Sequence, residues 1–268
     1  MTITARLAVA TPLIREAGDL AAGYFARRET LTRETKGPQD FVSVADREVE
    51  ALIRARLAEA FPGDGFLGEE SGGAGGERCW VVDPIDGTSN FLRGIPLWGV
   101  SIAYAIAGEP VIGLIYLPCV GTLYSAARGE GATCNGVPIQ TSRIADLAQA
   151  TILVGLSRRT SPDPALEMIE TVLRGGSGLR CLGTCVVALA MVAEGTADGY
   201  YEAHVQPWDC LAGLAIVREA SGRTNEVPGP VMLARGGPLL ASAPMLYDRL
   251  AAVASARLDL AGGAPTPP

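Results

Sequence analysis

Histidine and positive charge are both scarce in this chain of 268 residues. With a single histidine, His204, and six cysteines that have no metal-ligand spacing, the sequence excludes the common zinc sites. Lysine and arginine total 22 against 29 aspartates and glutamates, so the formal net charge of −7 argues against nucleic acid as a partner. No apolar run reaches about 18 residues, so we expect no membrane span. The N-terminus lacks the apolar region of a signal peptide, and we expect a cytoplasmic protein.

The composition is typical of a globular protein. Hydrophobic residues make up 48% of the chain and charged residues 19%, which argues against extensive disorder. The tail, residues 261–268, has no core-forming side chains, and we expect it to be disordered. The length suits one large domain or two tightly joined ones.

Apolar spacing and turn residues divide the chain into helices and strands. Alternating spacings of four and three predict a first helix over residues 3–24, which Pro12 would kink or restart. Residues 31–44 are predicted to form an extended loop. Further helices are predicted over residues 45–60, 163–174, 183–194 and 209–220. Strands are predicted over residues 79–82, 98–107, 111–117, 122–127, 151–156 and 197–203. This order favours an α+β fold built in layers.

The segment Trp-Val-Val-Asp-Pro-Ile-Asp-Gly-Thr-Ser-Asn-Phe, residues 80–91, carries most of the functional information. A buried strand here would deliver the carboxylates of Asp83 and Asp86 to its end. Gly87 permits a sharp turn or the close approach of a ligand, and Thr88 and Ser89 are suited to cap a following helix. Hard cations prefer carboxylate oxygens, and phosphates bind exposed N–H groups at a helix start. The segment therefore predicts a metal-dependent enzyme that acts on a phosphate.

Two further segments accompany this motif in a fixed order. Phe-Leu-Gly-Glu-Glu-Ser occupies residues 66–71, and Trp-Asp-Cys-Leu-Ala-Gly occupies residues 208–213, with Glu-Ala-Ser-Gly at residues 219–222. Together the three segments resemble the signatures of the inositol monophosphatase family, and the resemblance extends over roughly residues 5–255. The family pattern has glycine where this chain has Ser221.

The resemblance implies a fold and a cofactor. The expected architecture is a layered αβαβα sandwich of the sugar-phosphatase type. Its N-terminal half would comprise residues 1–140 and its C-terminal half residues 141–260, with the site between them. The cofactor would be Mg²⁺, with two to three ions in each site, and the family is sensitive to lithium. A homodimer is expected from the resemblance alone.

The resemblance also implies a role for each site residue. The first magnesium would be held by Glu69, Asp83 and the carbonyl of Ile85, and the second by Asp83, Asp86 and Asp209. A third, weaker ion would lie near Glu69, which we therefore count among the catalytic groups. Thr88, paired with Asp46, would orient a metal-bound water and help to remove its proton. The groups expected to contact the substrate are Gly87, Thr88, Glu202 and Asp209.

The substrate remains open between several small phosphates. Glu202 lies where inositol-specific members have a glutamate that contacts ring hydroxyls, which favours myo-inositol 1-phosphate. A cationic amine would suit the same carboxylate, so histidinol phosphate is an alternative substrate. A 3′(2′),5′-bisphosphate nucleotidase ranks lower, and an interaction protein of the transcription machinery on the same fold is the alternative outside enzymology. Lys36 and His204 have no assigned role.

Overall fold

Two mixed sheets alternate with three layers of helices in the computed structural model, which describes residues 2–30, 34–37, 40–73, 75–227 and 229–255. Within these ranges the helices are α1 Ile3–Ala26, α2 Val44–Ala60, α3 Thr88–Arg93, α4 Asp163–Arg174, α5 Cys185–Ala193, α6 Pro207–Glu219, α7 Gly229–Arg235 and α8 Tyr247–Ser255. The strands are β1 Glu34–Gly37, β2 Asp40–Val42, β3 Gly65–Gly68, β4 Arg78–Asp86, β5 Gly99–Ile106, β6 Glu109–Leu117, β7 Thr122–Ala127, β8 Gly131–Cys134, β9 Val137–Pro138, β10 Thr151–Val154, β11 Gly178–Arg180, β12 Gly199–Val205, β13 Arg223–Thr224 and β14 Gly237–Ser242.

The layer order is αβαβα, as the family resemblance implied. Helices α1 and α2 cover the outer face of a seven-stranded sheet with the order β3-β4-β5-β6-β7-β8-β9. Helices α5 and α6 lie between this sheet and a five-stranded sheet with the order β11-β10-β12-β14-β13. Helices α4 and α8 cover the far face of the second sheet. The seven-stranded sheet and the five-stranded sheet therefore each have helices on both faces.

The sequence of β4 is almost continuously apolar because both faces of the strand are buried. Side chains of a strand alternate between faces, so Trp80 and Val82 pack with α1 and α2, while Cys79 and Val81 pack with α5 and α6. All four are at most 1% exposed. A one-residue slip would exchange the two faces, and the complementary packing on both sides holds the strand in register.

Several predicted elements are confirmed, and others differ. Helices α2 and α4 match their predicted ranges, and α5 is buried as expected. Helix α1 runs through Pro12 as one element, so it does not restart there. The predicted loop over residues 31–44 is wrong in part, because β1 and β2 pair as an antiparallel ribbon.

Some predictions concern residues that lie outside the described part of the chain, and others stay predictions. The tail, residues 261–268, lies outside the described residues, as does the side chain of Lys36. The division of the chain at residue 140 stays a prediction; the α5–α6 layer belongs to the second half and contacts both sheets. No helix in the described ranges combines the length and apolarity needed to cross a membrane.

Candidate active site

An irregularity at the end of β4 brings two carboxylates to one place. Asp83 pairs with Ser101 and Asp86 with Gly99, so three steps on β4 match two on β5. Pro84 lies within this shift and has no N–H to donate to the ladder. In a regular strand, residues three apart point to opposite faces. The extra residue reorients the chain, so that Asp83 and Asp86 converge.

Asp209 completes this cluster from the other half of the chain. It lies in the first turn of α6, where the backbone N–H of Gln206 donates to its Oδ2 at 2.8 Å. Asp83, Asp86 and Asp209 each present a carboxylate oxygen, and these three oxygens lie within 4.8 Å of one another. Oxygen donors at this spacing are the ligands that hard divalent cations prefer.

The electrostatics of the cluster also favour a cation. Burial raises the pKa of Asp83 well above its usual range, and the charges of Glu69, Asp86 and Asp209 raise it further. Burial likewise raises the pKa of Asp209, with contributions from Asp86 and Glu69. For Asp86 burial raises the pKa to about 6, although hydrogen bonds from Thr184 and Val186 oppose the shift. Buried acids that repel one another are stabilised by a cation, so the donor set fits Mg²⁺.

Glu69 reaches the cluster from the end of β3. Its N–H donates to the carbonyl of Val82 at 3.2 Å, and its carboxyl group is among the charges that raise the pKa of Asp83. The turn that follows is held by Glu50, whose two carboxylate oxygens accept the N–H groups of Glu70 and Ser71, each at 2.8 Å. Glu50 is 2% exposed. The position of Glu69 therefore depends on a buried acid of α2.

Thr88 and Asp46 are in contact, as the resemblance implied. Thr88 Oγ1 donates to Asp46 Oδ1 at 3.3 Å and lies 3.0 Å from the carbonyl oxygen of Ile85. The other oxygen of Asp46 accepts the N–H of Ser43 at 2.8 Å and its hydroxyl at 2.7 Å. The capping role predicted for Thr88 and Ser89 is wrong, because Gly87 is the N-cap of α3 and no side chain caps it. Its φ of +91° favours glycine at this turn.

A cavity of about 620 Å³ opens in front of these groups. Glu69, Asp86, Thr88 and Asp209 line one wall, and we call these residues with Asp83 and Asp46 the acidic wall. A second group of lining residues, here called the β12 wall, comprises Tyr200, Glu202 and His204 of β12 with residues 155–159 of the loop after β10. The predicted reaction groups and the predicted substrate contact thus lie around one space.

Glu202 and His204 are partly buried in the β12 wall. Burial raises the pKa of Glu202 to about 7, and a hydrogen bond from the Tyr200 hydroxyl opposes this shift. His204 Nε2 lies 2.9 Å from the carbonyl oxygen of Arg235, and burial lowers the pKa of the imidazole. This carbonyl contact anchors the histidine ring at the cavity wall.

Three residues that support the site were missed from the sequence. Thr184 caps α5 and donates to Asp86, Glu50 holds the turn beside Glu69, and Tyr200 donates to Glu202. Glu50 carried a signal, because it lies one helical turn after Asp46 on the face that also bears Ile53. Thr184 and Tyr200 carried none, since their partners are remote in the sequence or belong to a strand with no polar pattern.

Known proteins resemble the chain over nearly its whole length. The model of the inositol monophosphatase family matches residues 3–258. An inositol-1-monophosphatase of Mesorhizobium japonicum is 38% identical, over 93% of this chain and 96% of the relative. A histidinol-phosphatase of Chlorobaculum parvum is 35% identical, over 96% of this chain and 100% of the relative.

A solved structure also resembles the fold of this chain. The crystal structure of the extragenic suppressor protein suhB from Bartonella henselae superposes with a TM-score of 0.87 at 34% identity, covering 95% of this chain and 100% of that one. The resemblance stated from the three motifs is thereby confirmed, and the chain belongs to the inositol monophosphatase family.

Proposed function

We propose that this phosphomonoesterase is Mg²⁺-dependent and hydrolyses a small polyol phosphate, with myo-inositol 1-phosphate as the preferred substrate. The observation that carries the proposal is the convergence of Asp83, Asp86 and Asp209 beside the Thr88–Asp46 pair, in a cavity that Glu202 also lines. The acidic wall suits cations and a phosphate, and a lone carboxylate on the β12 wall suits hydroxyl donors.

Two to three magnesium ions would be held by the acidic wall together with the carbonyl of Ile85. Glu69, Asp83 and the Ile85 carbonyl would hold the first ion, Asp83, Asp86 and Asp209 the second, and the region of Glu69 the third. Bound Mg²⁺ would neutralise the carboxylates and the phosphate, and would lower the pKa of the attacking water.

The hydroxyl of Thr88 orients the attacking water. Because Thr88 Oγ1 donates its own proton to Asp46, its lone pairs are free to accept a proton from water. Asp46 then receives the threonine proton as the water is deprotonated, while Ser43 holds the other carboxylate oxygen in place. The N–H groups of Gly87 and Thr88 bind the phosphate oxygens.

Histidinol phosphate is the second candidate substrate. The β12 wall presents a half-buried carboxylate that would also accept an amine, and a relative named histidinol-phosphatase is 35% identical. Phosphate release with Mg²⁺ across inositol 1-phosphate, histidinol phosphate, fructose 1,6-bisphosphate, glycerol 2-phosphate and 3′-phosphoadenosine 5′-phosphate separates the candidates.

Each outcome of this panel has a distinct meaning. A clear preference for inositol 1-phosphate supports the proposal, and a preference for histidinol phosphate or a bisphosphate replaces its substrate. Similar slow turnover of all five would indicate a broad phosphatase. An inactive protein would favour the interaction-protein alternative, which pull-down with an Asp83→Asn variant would then examine.

We also propose that the enzyme is a cytoplasmic, lithium-sensitive homodimer. The lithium sensitivity and the dimer rest on the family alone, and the location rests on the N-terminal sequence, which lacks the apolar region of a signal peptide. Light scattering on the purified chain measures the assembly, fractionation of cells measures the location, and Li⁺ titration of phosphate release measures the inhibition.

A further inference from the structure

Tyr200 and Glu202 form a pair on the inner face of β12. Residues two apart in a strand share a face, and the Tyr200 hydroxyl donates to Glu202 Oε2. The Tyr200 residue is only 3% exposed, so its ring is held by the packing between the two sheets. Tyr201 points to the other face and packs in the outer core with α4 and α8. The hydroxyl of Tyr200 is therefore a fixed donor rather than a mobile one.

Gly155, directly after β10, leaves room for this pair. Its N–H donates to the carbonyl of Tyr201 at 2.8 Å, which ties the loop to β12. A Cβ at residue 155 would lie 2.1 Å from Glu202 Oε2 and 2.5 Å from the Tyr200 hydroxyl oxygen. Any larger residue would displace one of the two polar groups. The carboxylate of Glu202 is thus confined by a hydrogen bond on one side and a backbone on the other.

The arrangement divides the two oxygens of Glu202 between two partners. Oε2 is engaged by Tyr200 and lies against Gly155. Among the residues that the structure describes, no hydrogen bond is found to Oε1, which is left for a donor that enters the cavity lined by Glu202, Tyr200 and Gly155. A carboxylate with one oxygen fixed presents the other in a defined direction, which lowers the entropic cost of binding a hydroxyl.

We propose that Tyr200 is a positioning residue for substrate specificity, which together with the side-chain-free Gly155 fixes Glu202 so that its Oε1 accepts a hydroxyl of the polyol. This inference rests on the proposed function. It adds that discrimination between polyol phosphates and plain phosphate esters depends on a buried phenol that does not touch the substrate.

The test compares two single-atom deletions on neighbouring residues. Tyr200→Phe removes the hydroxyl that holds Glu202, and Tyr201→Phe removes a hydroxyl from the opposite face of the same strand. Each variant is assayed with inositol 1-phosphate and with p-nitrophenyl phosphate, which has no aliphatic hydroxyl. For Tyr200→Phe we expect KM for inositol 1-phosphate to rise about tenfold, as loss of a hydrogen bond to a charged group implies, with little change in kcat. Its kinetics with p-nitrophenyl phosphate, and both activities of Tyr201→Phe, should match the wild type.

Gly155→Ala provides an independent second variant. The added methyl group should push Glu202 aside and raise KM for inositol 1-phosphate without changing any hydrogen-bonding group, while thermal melting shows whether the fold is intact. Crystal structures of Tyr200→Phe and Gly155→Ala should show the Glu202 carboxylate in a new orientation.

The outcomes separate this inference from the proposed function. If Tyr200→Phe impairs both substrates equally, or neither, the hydroxyl does not position a specificity group and the inference is wrong. If the wild type shows no preference for the polyol, the proposed function fails instead, and the orientation of Glu202 in the Tyr200→Phe crystal then decides the positioning role. An unmoved carboxylate in that crystal contradicts the inference whatever the substrate.

Discussion

The acidic wall and the β12 wall of the cavity differ in the number of buried carboxylates and in the groups that surround them. On the acidic wall, Asp83, Asp86 and Asp209 face one another at short range, and their pKa values are raised because the protein supplies too little compensation. On the β12 wall, burial also raises the pKa of Glu202, to about 7, but Glu202 is the one carboxylate of that wall, and a hydrogen bond from Tyr200 and the charge of Arg159 oppose the shift. A cluster of acids that repel one another attracts cations, whereas a single acid that already accepts a hydrogen bond suits a neutral donor. The comparison implies that the reaction and its selectivity can be altered separately.

The largest effect is expected from Asp83→Asn on the acidic wall. Loss of a charged group that we propose is shared by two ions should lower kcat by about 10²–10³-fold or more, while the fold is retained. Steady-state phosphate release measures the loss, and thermal melting with and without Mg²⁺ should show that the variant loses stabilisation by the ion. Asp163→Asn, which makes the same change at an exposed residue, serves as the matched control. A loss of less than about tenfold would contradict a ligand role for Asp83.

A smaller loss is expected from Thr88→Ala. Removal of the hydroxyl that we propose links Asp46 to the attacking water should lower kcat by about 10²-fold, within the range of general-base catalysis. Thr88→Ser keeps the hydroxyl and should recover most of the activity. If the alanine and serine variants are equally active, the hydroxyl has no part in the reaction.

Glu202→Gln tests whether the β12 wall acts on selectivity alone. We expect KM for inositol 1-phosphate to rise about tenfold and the kinetics with p-nitrophenyl phosphate to stay unchanged. Since burial raises the pKa of Glu202 to about 7, its ionised fraction increases between about pH 6 and about pH 8. The kcat/KM for inositol 1-phosphate, divided by the kcat/KM for p-nitrophenyl phosphate, should therefore rise over this range in the wild type. The same ratio should stay flat in Glu202→Gln. A parallel pH dependence in both proteins would assign the ionisation to another group.

The smallest effect is expected away from both walls, at Ser221. This residue follows α6 with a φ of +66°, a conformation that favours glycine. Ser221→Gly should raise the free energy of unfolding by about 1 kcal/mol, with activity unchanged. Urea denaturation measures the gain, and Ser242→Gly, within buried strand β14, should instead destabilise the protein.

Much of the acidic wall was predictable because its residues lie within short motifs. Asp83, Asp86 and Thr88 fall within six residues, and the string around them is specific enough to indicate both the family and the ligands. The short strands β3, β8, β9, β11 and β13 were missed, because strands of two to four residues carry little periodic signal and form only when a neighbour pairs with them. The longer strand β14 and the helices α7 and α8 were missed as well. Gly87 was recognised as a turn residue, but the helix that it begins was assigned the wrong cap.

The sequence by itself determined the family, the αβαβα layers through that family, and the chemical types of the groups at the acidic wall. These properties depend on local order along the chain, where proline, glycine and paired acids have direct conformational and chemical meaning. Only the tertiary structure decided that Glu50 holds the turn at Glu69, and that Gly155 and Tyr200 confine Glu202. Those contacts join residues that are remote in the chain or belong to different layers, and packing brings them together without a pattern that the sequence displays.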